Sequence, residues 1–185
     1  MILTDREIQI AVGSGQIEIV PRPPTEQYSS TAVDLTLDPE ITVFHRPPQG
    51  VNLFLDPSDP AFHPERSLAQ YNEKITIPAE GWQLTPQKLI LGWTKEKINL
   101  KVESRIGARV EGKSSLARIG LGIHITAPTI HSGFGNLQIR LEIVNHGHVP
   151  ILLRSGMRIC QLIFEQTLGT PVKGYSGQFL GQGSS

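Results

Sequence analysis

A short stretch near the middle of the chain combines residue types that bind phosphate groups. It reads Gly112-Lys113-Ser114-Ser115 and is followed shortly by Arg118. A ligand can approach the glycine backbone closely, while two hydroxyls, a flexible cation and a forked guanidinium supply donors. The spacing differs from the phosphate loop Gly-x-x-x-x-Gly-Lys-Ser/Thr. Because so short a string is common, an ordinary turn is the alternative interpretation.

A second candidate is Glu142, which lies in the run 137–144. Apolar and polar residues alternate there, as they do in a strand with one buried face. The other face carries Gln138, Arg140, Glu142 and Val144, and we expect it to line a cleft or an interface. In a pocket, the Glu142 carboxyl group could transfer protons in a reaction. On an open face it would be an ordinary solvated side chain.

The histidines and the cysteine bear on whether the chain binds a metal. His146 and His148 are spaced as a possible chelating pair, but they lie in a stretch that favours a solvated turn. Zinc deaminases need His-x-Glu followed by Pro-Cys-x-x-Cys. His63-Pro64-Glu65 matches the first half, whereas the single cysteine of the chain, Cys160, excludes the second. We therefore expect no zinc, and we expect Cys160 to be a buried, inert thiol in its apolar run.

The elements that must position these residues are predicted to be short strands. The chain has 185 residues, which suits one domain, 1–185, and its 14 prolines and 18 glycines leave little room for long helices. Seventeen basic and 17 acidic residues give no net charge, so we expect no nucleic-acid binding. Charged residues within the first seven positions predict neither a signal peptide nor a membrane span, and hence a cytoplasmic protein.

Local patterns predict the elements more closely. Thr4 and Glu7 have the spacing of a capping box, and Gly13 suits a helix end, so a helix is expected at 5–12. In the alternating run 32–37, we expect Asp34 to lie outside the apolar face. The stretch 47–70 is expected to be loop. Strands are predicted at 32–37, 74–77, 83–84, 89–94, 121–125, 137–143 and 159–164.

The glycine-rich end of the chain allows two interpretations. It could be a frayed terminus. Alternatively, 172–185 could form a mobile C-terminal lid over a ligand, with Tyr175 and Phe179 as stacking groups.

Several segments together resemble one known family. Its pattern is matched at 3–8, 21–24, 32–35, 112–120, 126–127, 141–143 and 156–157. The string Gly-Lys-Ser-Ser-Leu-Ala-Arg followed later by Leu141-Glu142 is highly specific. The chain thus resembles the dCTP deaminase family, a branch of the trimeric dUTPase-like β-proteins, over nearly its whole length. This resemblance implies a mainly β, dUTPase-like distorted barrel (β-clip) with short helices, assembled as a homotrimer with active sites shared between neighbouring subunits.

The resemblance also implies an activity, the zinc-independent hydrolysis of dCTP to dUTP and ammonia in pyrimidine deoxynucleotide synthesis. Glu142 matches the catalytic glutamate, which takes a proton from water and delivers it toward N3 while hydroxide attacks C4 of the cytosine. Ser114 and Arg118 match residues that hold this water and the glutamate network. Ala127 matches the small residue that leaves room for the water.

Other matched residues concern substrate binding. Lys113 and Ser115 match phosphate contacts, with Mg²⁺ carried on the triphosphate. Backbone groups around Ile125 and Thr126 are expected to recognise the base edge. In the tail, Tyr175 and Gln182 are retained, and Gln178 replaces a lysine that often touches the triphosphate. His131 replaces the usual aspartate near the deoxyribose.

Two alternatives stay open. The first is a dUTP diphosphatase or a bifunctional deaminase-diphosphatase. His131 weighs against it, because imidazole is a poor substitute for the aspartate that positions water, and the dUTPase terminal motif with its arginine is absent. The second is a non-catalytic nucleotide-binding homologue. Retention of Ser114, Arg118 and Glu142 favours the deaminase.

Overall fold

Strands of two to thirteen residues are the main regular secondary structure of the protein, and this confirms the mainly β prediction. The computed structural model describes residues 1–173. The strands are β1 (Ile17–Val20), β2 (Tyr28–Ser29), β3 (Ala32–Phe44), β4 (Asn72–Thr76), β5 (Trp82–Leu84), β6 (Leu89–Leu100), β7 (Ile106–Gly112), β8 (Leu121–Gly122), β9 (Thr129–Ile130), β10 (Leu137–Asn145), β11 (Ile151–Leu153) and β12 (Arg158–Gln166).

The helices are few and short. They are α1 (Asp5–Gly13), α2 (Pro64–Ser67) and α3 (Ser114–Ala117), with 3₁₀ turns at Thr25–Gln27, Ala69–Tyr71 and Val102–Ser104. Helix α1 confirms the helix predicted at 5–12. The Thr4 hydroxyl contacts the Glu7 carboxylate directly, rather than capping a backbone N–H as in a capping box. No helix within residues 1–173 is both long and apolar enough to cross a membrane.

One long strand curls the main sheet. The path β8-β10-β6-β3-β12-β7-β9 is antiparallel, with β1 on β6 and both β2 and β4 on β3. The first part of β3 pairs with β12, whereas its later part pairs with β6 and β4. A thirteen-residue strand therefore joins two parts of the sheet around a shared core. Strands β5 and β11 form a separate pair.

The core follows from the alternation of apolar residues in these strands. Leu35, Leu37 and Ile41 of β3 are fully buried, as are Ile143 of β10 and Phe164 of β12. Burying branched and aromatic side chains of this kind stabilises a fold by roughly 1.5–3 kcal/mol each. Cys160 is also buried within β12, as predicted, and burial raises the pKa of its thiol.

The strand predictions were correct in position but not always in length. The strands expected at 74–77, 83–84 and 89–94 are confirmed as β4, β5 and the first half of β6. The strand expected at 121–125 was wrong beyond Gly122, because Ile125 is 55% exposed and the backbone there does not pair. The stretch 47–70 is mainly loop, as expected, with α2 inside it.

The chain crosses itself closely just after α3. Gly120 has φ +85°, and a Cβ atom there would lie 2.5 Å from the backbone nitrogen of Gly147. The His146 N–H donates to the Gly120 carbonyl at 2.7 Å. Because both residues are glycines, the backbone just after the 112–118 segment can touch the turn that follows β10.

Candidate active site

A cavity of about 420 Å³ lies along β10. Its wall includes Gln138, Arg140 and Glu142, so three of the four residues of the predicted polar face of 137–144 line a cleft, as expected. Val144 is not part of the wall, so the cavity extends from Glu142 toward the start of the strand. The rest of the lining is Pro64, Glu65, Leu91, Trp93, Val110, His124, Ala127, Thr129, Ile130, His131, Phe134, Leu137, Ile139 and Leu141.

Glu142 is a half-buried carboxylate on this wall. Its register partner across the sheet is Leu91, and its chain neighbours Leu141 and Ile143 are buried. Among the described residues its carboxylate has neither a hydrogen bond nor an ion pair. A carboxylate held on a rigid strand without a partner is available to accept a proton from a bound molecule.

The other residues predicted near Glu142 divide into two groups. Ala127 and His131 line the same cavity, so the structure brings both together with Glu142. Ile125 and Thr126 are exposed and do not line it. Tyr175, Gln178 and Gln182, and most of the lid predicted at 172–185, lie outside the described residues.

The 112–118 segment forms a separate half of the predicted site. After β7 the chain turns at Lys113, whose carbonyl accepts from the N–H groups of Leu116 and Ala117, and the single turn α3 follows. Ser114, Ser115 and Arg118 are exposed, and Arg118 has no side-chain partner in residues 1–173. None of these residues lines the cavity that contains Glu142.

Lys113 forms an ion pair within its own chain. Its Nζ lies 2.6 Å from Asp34 Oδ1, and Arg158 Nη1 lies 3.4 Å from Asp34 Oδ2. The alternation in β3 correctly predicted that Asp34 lies outside the apolar face of the strand. The residue is nevertheless only 6% exposed. The pairing of β3 with β12 covers it, and the two cations compensate its buried charge.

This arrangement predicts that Lys113 has a structural role. We expect Lys113→Met to lower the free energy of unfolding by roughly 2–3 kcal/mol, because a buried carboxylate loses its shortest ion pair. Urea unfolding at fixed protein concentration measures this. The matched control is Lys101→Met, since Lys101 pairs with Glu18 on the surface and such pairs contribute about 0–1 kcal/mol. Equal stability of Lys113→Met and the parent would contradict the prediction.

Two residues of the cavity wall were not selected as site residues from the sequence. Trp93 of β6 is the register partner of Arg140, and the Arg140 guanidinium carbon lies 4.2 Å from the centre of the indole ring. Arg140 Nη2 donates to Thr42 Oγ1 at 3.0 Å. Burial lowers the pKa of Arg140, while the carboxylates of Glu65, Glu40 and Glu142 act in the opposite direction. The alternation in 137–144 placed Arg140 beside Glu142, but no sequence signal indicated Trp93.

The histidines do not gather around a metal site. Within residues 1–173 no group of three or more His, Cys, Asp or Glu side chains is placed to hold a metal ion. His124 instead lies at the cavity wall, with Nε2 3.9 Å from Glu111 Oε2.

These observations define a class of protein: a curled antiparallel β-sheet with a cavity along one strand, and in it a carboxylate that has no partner within residues 1–173. Residues 2–167 match the family model described as dCTP deaminase-like, and the chain belongs to this family.

Two relatives agree with this assignment, and a solved structure has a similar fold. The chain is 37% identical over 175 residues to "dCTP deaminase, dUMP-forming" of Methanobrevibacter smithii, covering 93% of this chain and 83% of the relative. It is 36% identical over 178 residues to the dCTP deaminase of Pectobacterium atrosepticum, covering 95% and 89%. The fold resembles the crystal structure of 2′-deoxycytidine 5′-triphosphate deaminase from Agrobacterium tumefaciens, with a TM-score of 0.66 at 18% identity. The match covers 90% of this chain and 48% of that one, about half its length.

Proposed function

We propose that this protein is a dCTP deaminase that hydrolyses dCTP to dUTP and ammonia. The observation that carries the proposal is the Glu142 carboxylate on the wall of the cavity, which no side chain of residues 1–173 pairs, in a chain that belongs to the dCTP deaminase-like family. Two relatives more than 35% identical are named as dCTP deaminases, and the matches cover most of each chain.

In the proposed reaction Glu142 serves first as a base and then as an acid. It takes a proton from water, and the resulting hydroxide adds to C4 of the cytosine while N3 receives the proton. Glu142 then takes the proton of the new C4 hydroxyl and delivers it to N4, the C4–N4 bond breaks, ammonia leaves, and C4 becomes a carbonyl. Ala127 lies on the same wall as Glu142, which supports its predicted role of leaving room for the water. His131 lines the same cavity, which supports its predicted place near the deoxyribose.

We propose that the site is completed by a neighbouring subunit in a homotrimer. Ser114 and Arg118 are exposed and do not line the cavity of their own chain. A closed ring of heterologous contacts would place this segment of one subunit over the cavity of the next. The donors of the segment would then meet both the water at Glu142 and the triphosphate, with Ser115 among the phosphate contacts.

The proposed chemistry needs no zinc in the protein. Mg²⁺ would be held mainly by the oxygens of the substrate triphosphate, which suit a hard cation. Zinc independence is tested by metal analysis of the active protein and by assays after chelation and the return of Mg²⁺ alone. Activity that returns only when zinc is added would contradict it.

The direct test of the function is incubation of purified protein with dCTP and Mg²⁺. We expect ammonia and dUTP in equal amounts. Binding of dCTP without any product would instead favour the non-catalytic nucleotide-binding homologue.

A second candidate function is formation of dUMP by the same protein, which the name of the Methanobrevibacter smithii relative supports. It would require hydrolysis of the phosphate chain, with pyrophosphate released alongside dUMP. His131 stands where an aspartate would position the attacking water, so we expect dUTP to accumulate. Chromatography of the products together with a pyrophosphate assay separates the two candidates.

A further inference from the structure

Arg140 is a cationic side chain on the cavity wall to which the proposed reaction assigns no role. Side chains two positions apart on one face of a strand are roughly 7 Å apart, so Arg140 lies one step along the wall from Glu142. The cavity continues from Glu142 in that direction. A nucleotide whose base lies at Glu142 therefore extends its sugar toward Arg140.

The guanidinium is held in place from two sides. The Trp93 ring supports its face at 4.2 Å, and Thr42 accepts a hydrogen bond from Nη2 at 3.0 Å. Trp93 is 4% exposed, so the ring that supports the cation is itself fixed by the core. An arginine fixed in this way binds an acceptor with little further loss of side-chain freedom.

Donors remain unused at this part of the wall. Arg140 Nε and Trp93 Nε1 are both buried and have no hydrogen-bond partner among residues 1–173. Leaving such groups unsatisfied is costly. These two atoms have almost no exposed surface, so an acceptor in the cavity would meet the guanidinium through its terminal Nη atoms, of which Nη2 already donates to Thr42. The wall of the cavity beside Glu142 thus favours a ligand that carries an oxygen acceptor near Arg140.

The space around Arg140 also continues beyond the cavity. A second cavity of about 450 Å³ shares Trp93 and Arg140 with the first and is lined further by Thr42 and Lys74. Helix α2 contributes Pro64 and Glu65 to both. Arg140 therefore stands at the junction of two spaces, where a ligand can reach its guanidinium.

We propose that Arg140 is a substrate-binding residue whose guanidinium donates a hydrogen bond to the 3′-oxygen of the deoxyribose. The inference rests on the proposed function. In a deoxynucleoside triphosphate the 5′-oxygen is esterified and the 2′-oxygen is absent, so the 3′-hydroxyl is the free hydroxyl oxygen that the sugar offers. Thr42 and Trp93 act as positioning residues for Arg140.

The test compares the binding of dCTP with that of 2′,3′-dideoxycytidine triphosphate, which lacks the 3′-oxygen. All proteins carry Glu142→Gln, so that binding is measured without turnover. They also carry Trp82→Phe, because the chain has two tryptophans and only Trp93 lines the cavity. Emission of Trp93 then reports binding directly.

We expect Arg140→Gln to raise the Kd for dCTP roughly 10–100-fold, since a hydrogen bond from a charged group is lost. For the dideoxynucleotide the same substitution should change Kd by less than about 3-fold. Thr42→Val, which removes the anchor and preserves the shape, should raise the Kd for dCTP by about 3–10-fold and leave the dideoxynucleotide unaffected. The matched control is Arg109→Gln on β7, an arginine paired with Glu165 outside the cavity, and we expect no change in Kd.

Three outcomes would overturn the inference. One is an unchanged Kd for dCTP in both Arg140→Gln and Thr42→Val. Another is an equal rise in Kd for dCTP and the dideoxynucleotide in Arg140→Gln. This would mean that Arg140 contacts another part of the nucleotide or has a purely structural role. The third is an unsubstituted protein that neither binds dCTP nor releases ammonia from it, and this would contradict the proposed function as well. Ammonia release by the unsubstituted protein, together with an unchanged Kd for dCTP in Arg140→Gln and Thr42→Val, would contradict the inference alone. If Arg140→Gln does not fold, Thr42→Val decides the question.

Discussion

Replacing Glu142 by glutamine is expected to lower kcat for dCTP deamination by about 10²–10⁴-fold, toward the upper end of that range. Glutamine has nearly the shape of glutamate but cannot accept the proton of water or pass it to N3. The loss should fall on kcat, because the amide still fills its place on the cavity wall and binding of dCTP persists. Ammonia release under saturating dCTP measures the effect.

The control for this variant is Glu80→Gln, since Glu80 is exposed and lies outside the cavity. We expect Glu80→Gln to have the activity of the parent. Far-ultraviolet circular dichroism and light scattering should show the same fold and the same assembly for both variants. Deamination by Glu142→Gln at more than about a tenth of the parental rate would rule out Glu142 as the proton carrier.

Mixing two inactive variants is expected to restore activity. Arg118→Ala should be inactive because the guanidinium that meets the water and phosphates is lost, and Glu142→Gln because the proton carrier is lost. In a mixed ring, an intact site forms wherever Glu142 of one subunit faces Arg118 of its neighbour. With equal amounts and random reassembly, roughly a quarter of the sites are intact, so about a quarter of the parental activity should return.

The experiment requires that subunits exchange, which brief unfolding and refolding of the mixture ensures. A mixture of Glu142→Gln with the double variant Glu142→Gln/Arg118→Ala is the control, and it should stay inactive. If both residues served the same subunit, no mixed ring would contain an intact site and no activity would return. That result would contradict the shared site. It would not affect the proposed role of Glu142, which the kinetics of Glu142→Gln test separately.

The local structure was largely predictable because it depends on neighbouring residues. Helix α1 follows from its first turn and from the glycine that ends it. Strand β10 follows from strict alternation, which also predicted that Arg140 and Glu142 share a wall. At 121–125 the same alternation was misleading, because a strand needs a partner and, of these five residues, only Leu121 and Gly122 pair with β10.

Contacts between distant segments were not predictable in this way. The burial of Asp34 depends on its meeting Lys113 and Arg158, which are far apart in the chain. The stacking of Arg140 on Trp93 depends on the register of β10 against β6. A bulge between Gln138 and Arg140 shifts that register, and alternation along a single strand carries no information about it. Family resemblance identified Glu142 and Arg118, but the separation of these two residues in one chain became visible only in three dimensions.

The crossing at Gly120 and Gly147 has a consequence for the whole ring. In the proposed trimer, the segment that carries Arg118 serves one site and the strand that carries Glu142 serves another. Within one chain, both are tied together where these two glycines meet. A rearrangement at one site therefore has a short mechanical path to the next.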